Sequence, residues 1–330
     1  MSAARFGYDE DDVARRASGR KSRPRTKTRP EHATAMPARV VAVDRGRITC
    51  RLTDGTQVLA VRARELGRRG VVVGDRVGVV GDLSGAEGTL ARVVRVGPRA
   101  TTLRRTADDT DPVERVLVAN ADQLAVVSSV TDPEPRPRLV DRCLVAAFDG
   151  GLRPLLVITK TDLADPDDLL AAYAGLDVPV LRVRRDRPLD ALRDALAGHV
   201  TVLVGPSGVG KSTLVNALVP AAERAVGRVN PVTGRGRHTS SSAVWLSLPG
   251  GGEVIDTPGV RSFGLAHVDP ARVLRAFADL LAGTSACPRG CDHVSEHCAL
   301  DDWVTSGHAE PARLDSLRRL LRSQDDGEDA

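Results

Sequence analysis

The run Gly205-Pro206-Ser207-Gly208-Val209-Gly210-Lys211-Ser212-Thr213 has the spacing of a phosphate cradle. Its glycines let backbone N–H groups converge on an anion, Lys211 reaches the terminal phosphates, and the Ser212 hydroxyl supplies an oxygen to magnesium. A β-branched stretch at 200–204 precedes the run, and 213–219 is a good helix start; this strand, loop and helix context separates a phosphate loop from a chance match. Thr159-Lys160-Thr161-Asp162 also ends an apolar strand-like stretch, where open α/β sheets bind ligands. Placed there, the Asp162 carboxylate accepts from the ring N–H and amino group of guanine, the Lys160 stem lies along the base, and adenine presents the opposite pattern. Asp256-Thr257-Pro258-Gly259 follows Val254-Ile255, as a magnesium-side aspartate and a glycine sensing the terminal phosphate should.

A fourth constellation is Cys287-x3-Cys291-x-His293-x4-Cys298. Three thiolates and one imidazole make a closed tetrahedral site for one structural zinc, with the adjacent His297 as a competitor for the fourth place. The chain has five cysteines, and three fall in this stretch while Cys50 and Cys143 stand alone. That is metal spacing in a reducing compartment rather than a disulfide framework. Lysine usage points to the same functional segments. Only Lys21, Lys27, Lys160 and Lys211 occur, so two of four lysines sit in the nucleotide motifs, where a compact ammonium is needed and a planar guanidinium would not fit.

At 330 residues the chain has room for two or three cores. No apolar run approaches the roughly 20 residues of a membrane-spanning helix. Tyr8, Asp9 and Glu10 stand where a signal peptide would be apolar, so a cytoplasmic protein with no membrane partner is expected. Residues 1–36 read as a basic disordered arm, with Arg15, Arg16, Arg20, Lys21, Arg23, Arg25, Lys27 and Arg29 among Ser, Thr and Pro, suited to a phosphate backbone.

The supporting elements change along the chain. Residues 37–100 carry five β-rich runs, at 40–43, 48–52, 58–62, 71–80 and 90–96, punctuated by Asp54-Gly55, Gly74-Asp75 and Gly81-Asp82. They predict a small barrel of the oligonucleotide-binding type. It contains no aromatic residue for base stacking, so backbone or shape recognition of RNA is the expectation. Across 101–268, apolar strands at 117–130, 155–158, 178–183, 200–204, 244–248 and 253–255 alternate with helices at 137–148, 167–174, 189–197 and 213–219. This alternation predicts an α/β parallel sheet flanked by helices. Beyond it, 269–330 is expected to be helical, with helices at 271–282 and 311–322 bracketing the Cys/His cluster and an acidic tail from Asp325.

The motif order is unusual for a GTPase: the guanine-reading element comes first, whereas it ordinarily follows the other two. Together with the barrel, the Gly236-Arg237-His238-Thr239 segment, the DTPG segment and the terminal Cys/His cluster, it resembles the ribosome small-subunit-dependent GTPase family over residues 38–322. The resemblance implies a multidomain chain: an OB-type barrel, a circularly permuted P-loop GTPase domain and a helical zinc-binding domain. It implies GTP hydrolysis with magnesium held by Ser212 and Thr239, and binding to the small ribosomal subunit and its rRNA late in subunit maturation, by a monomer. Val260 follows DTPG where many GTPases carry a water-orienting Gln, so hydrolysis must borrow a group; His238 is the internal candidate, and a slow enzyme stimulated by the subunit is implied. The chain departs from the pattern twice. Thr159 replaces the usual Asn, which predicts a weakened tether to the phosphate loop, and residues 178–187 lack a Ser-Ala guanine loop. The rival readings are a non-hydrolysing GTP-dependent RNA-binding scaffold and a P-loop ATPase or kinase.

Overall fold

A computed structural model of the chain describes residues 32–66, 70–106, 114–219, 243–258, 263–265, 268–295 and 297–325. Most of the basic arm, and His238, Thr239, Gly259 and Val260, lie outside the described residues.

Five strands, β1 (Met36–Asp44), β2 (Arg47–Leu52), β3 (Gln57–Arg62), β4 (Arg76–Gly81) and β5 (Ala91–Val96), run in the order β1-β2-β3-β5-β4, and β4 returns to pair with β1. The result is a closed barrel. Alternate residues point inward, so Val40, Ile48, Cys50, Val58, Ala60, Val79 and Val93 fill the interior. The turns form where expected: Asp54 Oδ1 accepts from Thr56 N at 2.8 Å beside Gly55. The stretch expected as a strand over 71–80 forms a strand only from Arg76, with an isolated bridge from Val73 to Val118, because Gly74-Asp75 turns the chain and Asp75 Oδ2 accepts from Val72 N at 2.9 Å.

A short hairpin, β6 (Thr102–Arg105) and β7 (Arg115–Ala119), follows; it divides the strand expected over 117–130. The remainder of that run is β8 (Gln123–Ser129), buried at every position. Then come α1 (Pro137–Gly150), β9 (Arg153–Thr159), α2 (Asp167–Ala171), β10 (Val180–Arg182), α3 (Asp190–Leu196), β11 (Val200–Val204), α4 (Lys211–Leu218), β12 (Val244–Ser247) and β13 (Glu253–Asp256). The sheet order is β10-β9-β8-β11-β13-β12, parallel except for β12, and β12 pairs with β1 of the barrel at Val244 and Ala42. Both faces of this sheet are covered, which is why its central strands read as unbroken apolar runs. Leu124, Val126, Leu156, Ile158, Val202 and Ile255 pack on one side with α1, and Ala125, Val127, Leu155, Val157, Leu203 and Val254 on the other with α3 and α4.

The C-terminal helices are α5 (Pro270–Leu274), α6 (Ala278–Leu281), α7 (Ala299–Thr305) and α8 (Pro311–Asp325). Instead of one helix over 271–282 there are two, because the chain turns at Phe277 to bury its ring edge-on against Phe148 at 6.4 Å. Leu274, Phe277, Leu280, Leu314, Leu317 and Leu320 join the core on the α1 side of the sheet. Arg142 of α1 reinforces the contact, donating to Phe263 O and Ser323 O at 2.7 Å each.

Candidate nucleotide and metal sites

Parallel pairing aligns the C-terminal ends of β13, β11, β8, β9 and β10 along one rim, and every nucleotide motif within the described residues lies there. Leu203 stands opposite Asp256, which sets the phosphate loop beside the DTP segment; Thr257 Oγ1 donates to Leu203 O at 2.6 Å and fixes that neighbourhood.

The loop from Gly205 to Gly210 needs its glycines for stated reasons. At Gly205, φ is +153° and a Cβ would lie 2.2 Å from Val127 O, so the loop leaves β11 hard against β8. Lys211 is buried and folds over the loop, donating to Gly205 O at 2.5 Å and Pro206 O at 2.8 Å. Burial pushes its pKa down while the Asp256 carboxylate opposes the shift, and burial pushes the Asp256 carboxyl up while Lys211 opposes it. The two charges thus act on each other across a partly buried site without forming an ion pair, Lys211 Nζ being taken up by the loop carbonyls. Ser212 and Thr213, at the start of α4, are exposed on the rim; Pro206, Ser207, Gly208 and Val209 complete the loop, with Val209 buried beneath it.

Thr159, expected to weaken the tether to the phosphate loop, still makes one through its hydroxyl. Buried at the end of β9, it donates from Oγ1 to Val209 O at 2.6 Å, with Ser128 O farther away at 3.2 Å. A hydroxyl has one proton to give, and the shorter contact takes it. The end of β9 and the Gly205 to Gly210 loop are therefore tied directly. Lys160 sits at φ +59° and reaches across the rim, donating from Nζ to Asp132 O, with the Asp132 carboxylate 3.8 Å away. Thr161 is held by Val183 O of the next connection, which accepts from its Oγ1 at 3.2 Å. Asp162 is exposed, and its Oδ1 accepts from Arg185 N at 3.4 Å. Arg184 next to it is locked by a two-pronged pair with Asp186 at 2.9 and 3.0 Å. Asp132 and Arg185 carry no motif; only the pairing of β8 and β10 with β9 brings them to this site.

The second site lies between α6 and α8. Cys287, Cys291, His293 and Cys298 place their ligand atoms within 4.8 Å of one another. Cys287 Sγ is 3.8 Å from Cys298 Sγ, and His293 Nδ1 is 3.6 Å from both. Zinc bonds of about 2.3 Å to sulfur and about 2.0–2.1 Å to nitrogen at the tetrahedral angle span about 3.8 Å between sulfurs and about 3.5 Å from sulfur to nitrogen. The three edges among Cys287, His293 and Cys298 match, and Cys291 lies within 4.8 Å of each, so the cluster could hold zinc. His297, the expected competitor, is exposed at φ +78° and is not among the grouped ligands.

A profile of the RsgA GTPase family matches residues 96–266. Over 236 residues the chain is 41% identical to a protein of Pseudomonas aeruginosa named small ribosomal subunit biogenesis GTPase RsgA, covering 68% of this chain and 69% of that one. The protein of the same name from Pseudomonas syringae pv. syringae is 39% identical over 264 residues, 77% of this chain and 75% of its own length. Among solved structures, YjeQ from Thermotoga maritima superposes with a TM-score of 0.63 at 27% identity, covering 88% of this chain and 98% of that one. YloQ, described as a circularly permuted GTPase, shares the fold with a TM-score of 0.62 at 22% identity, over 90% of this chain and 97% of its own. With the Gly205 to Thr213 loop, the Thr159 to Asp162 segment and the DTP segment on one rim in an order permuted from that of ordinary GTPases, the chain belongs to the RsgA family of GTPases.

Proposed function

We propose that this GTPase acts in late maturation of the small ribosomal subunit, binding the subunit and its rRNA and using GTP hydrolysis to leave it. The observation that carries the nucleotide half is the Thr159–Val209 bond, which makes base reading and phosphate binding one unit. In this reading Lys160 and Asp162 take the guanine, Thr159 and Thr161 hold them in place, and Gly205 to Thr213 take the phosphates. Ser212 binds magnesium on the side of Asp256. Thr239 as the second magnesium ligand, Gly259 as the sensor and His238 as the catalytic group come from the sequence reading. The names of the two Pseudomonas relatives support the ribosomal half.

The domain reading places an arm at 1–36, an RNA-binding barrel at 37–100, the GTPase domain at 101–268 and a zinc domain at 269–330. Support for RNA binding by the barrel comes from a groove of about 400 Å³ lined by Arg39, Arg51, Arg76 and Arg95, without aromatic residues. Arginines at that density suit phosphate contacts rather than base reading. The donor set of the second site suits one zinc, held by Cys287, Cys291, His293 and Cys298, whose contribution is to fix that segment's fold. The protein works as a monomer in the cytoplasm; no helix among the described residues is long and apolar enough to cross a membrane.

The deciding experiment measures GTP hydrolysis with and without purified small subunits, for the wild type and His238→Ala. Stimulation by subunits that is lost in the variant is expected. Absence of stimulation, or displacement of bound GDP by ADP, would overturn the reading.

A further inference from the structure

We infer that Arg318, on α8, is a positioning residue for the metal site, holding together the two separate pieces of backbone that carry the ligands. This rests on reading the Cys/His cluster as a zinc site.

The ligands reach the cluster from two directions. Cys287, Cys291 and His293 lie on a tight turn, while Cys298 stands at the N-terminus of α7. The turn is bent by Asp292, whose Oδ1 accepts from Val294 N and Ser295 N at 2.9 Å each, and it places His293 at φ +62°. Arg318 spans the turn and α7 with its planar fork. Its Nε donates to His293 O at 3.2 Å, while Nη1 and Nη2 donate to Asp301 Oδ1 and Oδ2 at 2.8 and 2.7 Å. His293 O belongs to a ligand's own peptide unit, and Asp301 N donates to Cys298 O at 3.1 Å, so one guanidinium touches both pieces next to their ligands.

The base from which Arg318 projects is fixed. Its neighbours Leu317 and Leu320 are fully buried, and Arg319 pairs with the buried Asp141 of α1 at 3.2 Å. The Arg318 side chain is 16% exposed, and its bond to His293 O is part-buried, while the pair with Asp301 lies at the surface. The guanidinium also interacts with Cys298. Three thiolates around a divalent cation leave one negative charge, which an adjacent guanidinium offsets. Outer partners of this kind orient ligands, and removing them typically weakens metal binding by about 10- to 100-fold. Lysine cannot take the place of Arg318, because one ammonium cannot present three donors in a plane.

The test titrates the zinc-loaded full chain with a chromophoric chelator, comparing wild type, Arg318→Ala, Arg318→Lys and Asp301→Asn. Arg318→Ala is expected to release zinc about 10- to 100-fold more readily. Arg318→Lys should recover less than half of that loss, and GDP affinity should stay at the wild-type value. Cobalt-loaded Arg318→Ala should show altered d–d bands, a signature that a purely structural role far from the metal would leave unchanged. If wild type binds no stoichiometric zinc, the zinc reading itself fails. If wild type binds one zinc and both Arg318→Ala and Asp301→Asn hold it within twofold of wild type, the positioning role is overturned. Should Arg318→Ala not fold, Asp301→Asn decides alone, with unchanged zinc affinity the refuting result.

Discussion

Replacing Thr159 with valine tests whether a single hydroxyl joins the base-reading strand to the phosphate loop. The two side chains have the same shape, and at the end of a buried strand valine fits as well as threonine, so packing around β9 is preserved. What is lost is the donor to Val209 O, now 2.6 Å away. Val209 is 1% exposed, so water cannot readily replace it. A buried carbonyl left without a partner costs about 1–3 kcal/mol. If the whole cost falls on the nucleotide-ready loop, GDP affinity drops by about 5- to 150-fold, taking about 1.4 kcal/mol per factor of ten. Part of it will appear as lower global stability instead, and we expect a loss of about tenfold at the low end of that range. The assay is fluorescence titration with a labelled GDP, run beside Thr159→Ser, which keeps the hydroxyl and should stay within about threefold of wild type. Equal affinity of wild type and Thr159→Val, with both folded, would refute the tether.

Gly205→Ala should abolish nucleotide binding in a chain that still folds, since its methyl would sit 2.2 Å from Val127 O and only displacement of the loop relieves the clash; equilibrium dialysis with GDP checks this. Asp162→Asn should exchange guanine for xanthine, because an amide can donate to the oxygen that replaces the guanine amino group; competition between GDP and XDP reads the switch. A pH dependence follows from Asp141. Burial raises its carboxyl from 3.8 to about 6, with Arg319 pulling the other way. A raised folded-state value means stability that is present at low pH and is lost as the unfolded chain ionises first. Between about pH 4 and 6, wild type should therefore lose up to about 3 kcal/mol relative to Asp141→Asn and then stay level, as urea unfolding of the two across that range would show.

Much of the fold was legible because burial on both faces leaves a plain mark. The strands β8, β9 and β11 carry the unbroken apolar runs Leu124 to Val127, Leu155 to Ile158 and Val202 to Val204, as strands covered on both sides do. The β6–β7 hairpin was not legible: Arg104, Arg105 and Arg115 interrupt any apolar alternation, and its pairing is set by contact with the rest of the fold. The break at Phe277 was hidden for a similar reason, since the local helical pattern continues and only the distant Phe148 ring turns the chain inward. In the candidate nucleotide site, residue types picked out the loop and the Thr159 to Asp162 segment that share one rim. That the Thr159 hydroxyl reaches the loop was not legible, because it depends on how closely β9 approaches Val209. Arg185 and Asp132 could not be found from spacing at all, being brought in by strand pairing across many residues. The metal ligands were legible as a set, and Arg318 was not, because it lies on a separate helix.

The pairing of Val244 with Ala42 has a practical consequence for anyone dividing this protein. β12 is the last strand of the nucleotide sheet, and β1 covers its free side, while Arg39 lies 4.8 Å over the buried Trp245 ring. A fragment that begins after the barrel would lose the backbone pairing at Val244 and uncover the Trp245 indole beside it. Unprotected sheet edges of that kind seed chain-to-chain association. The barrel is thus also a guard against aggregation, and a soluble GTPase fragment would need a charged or proline-bearing replacement on β12 as well as a new start point.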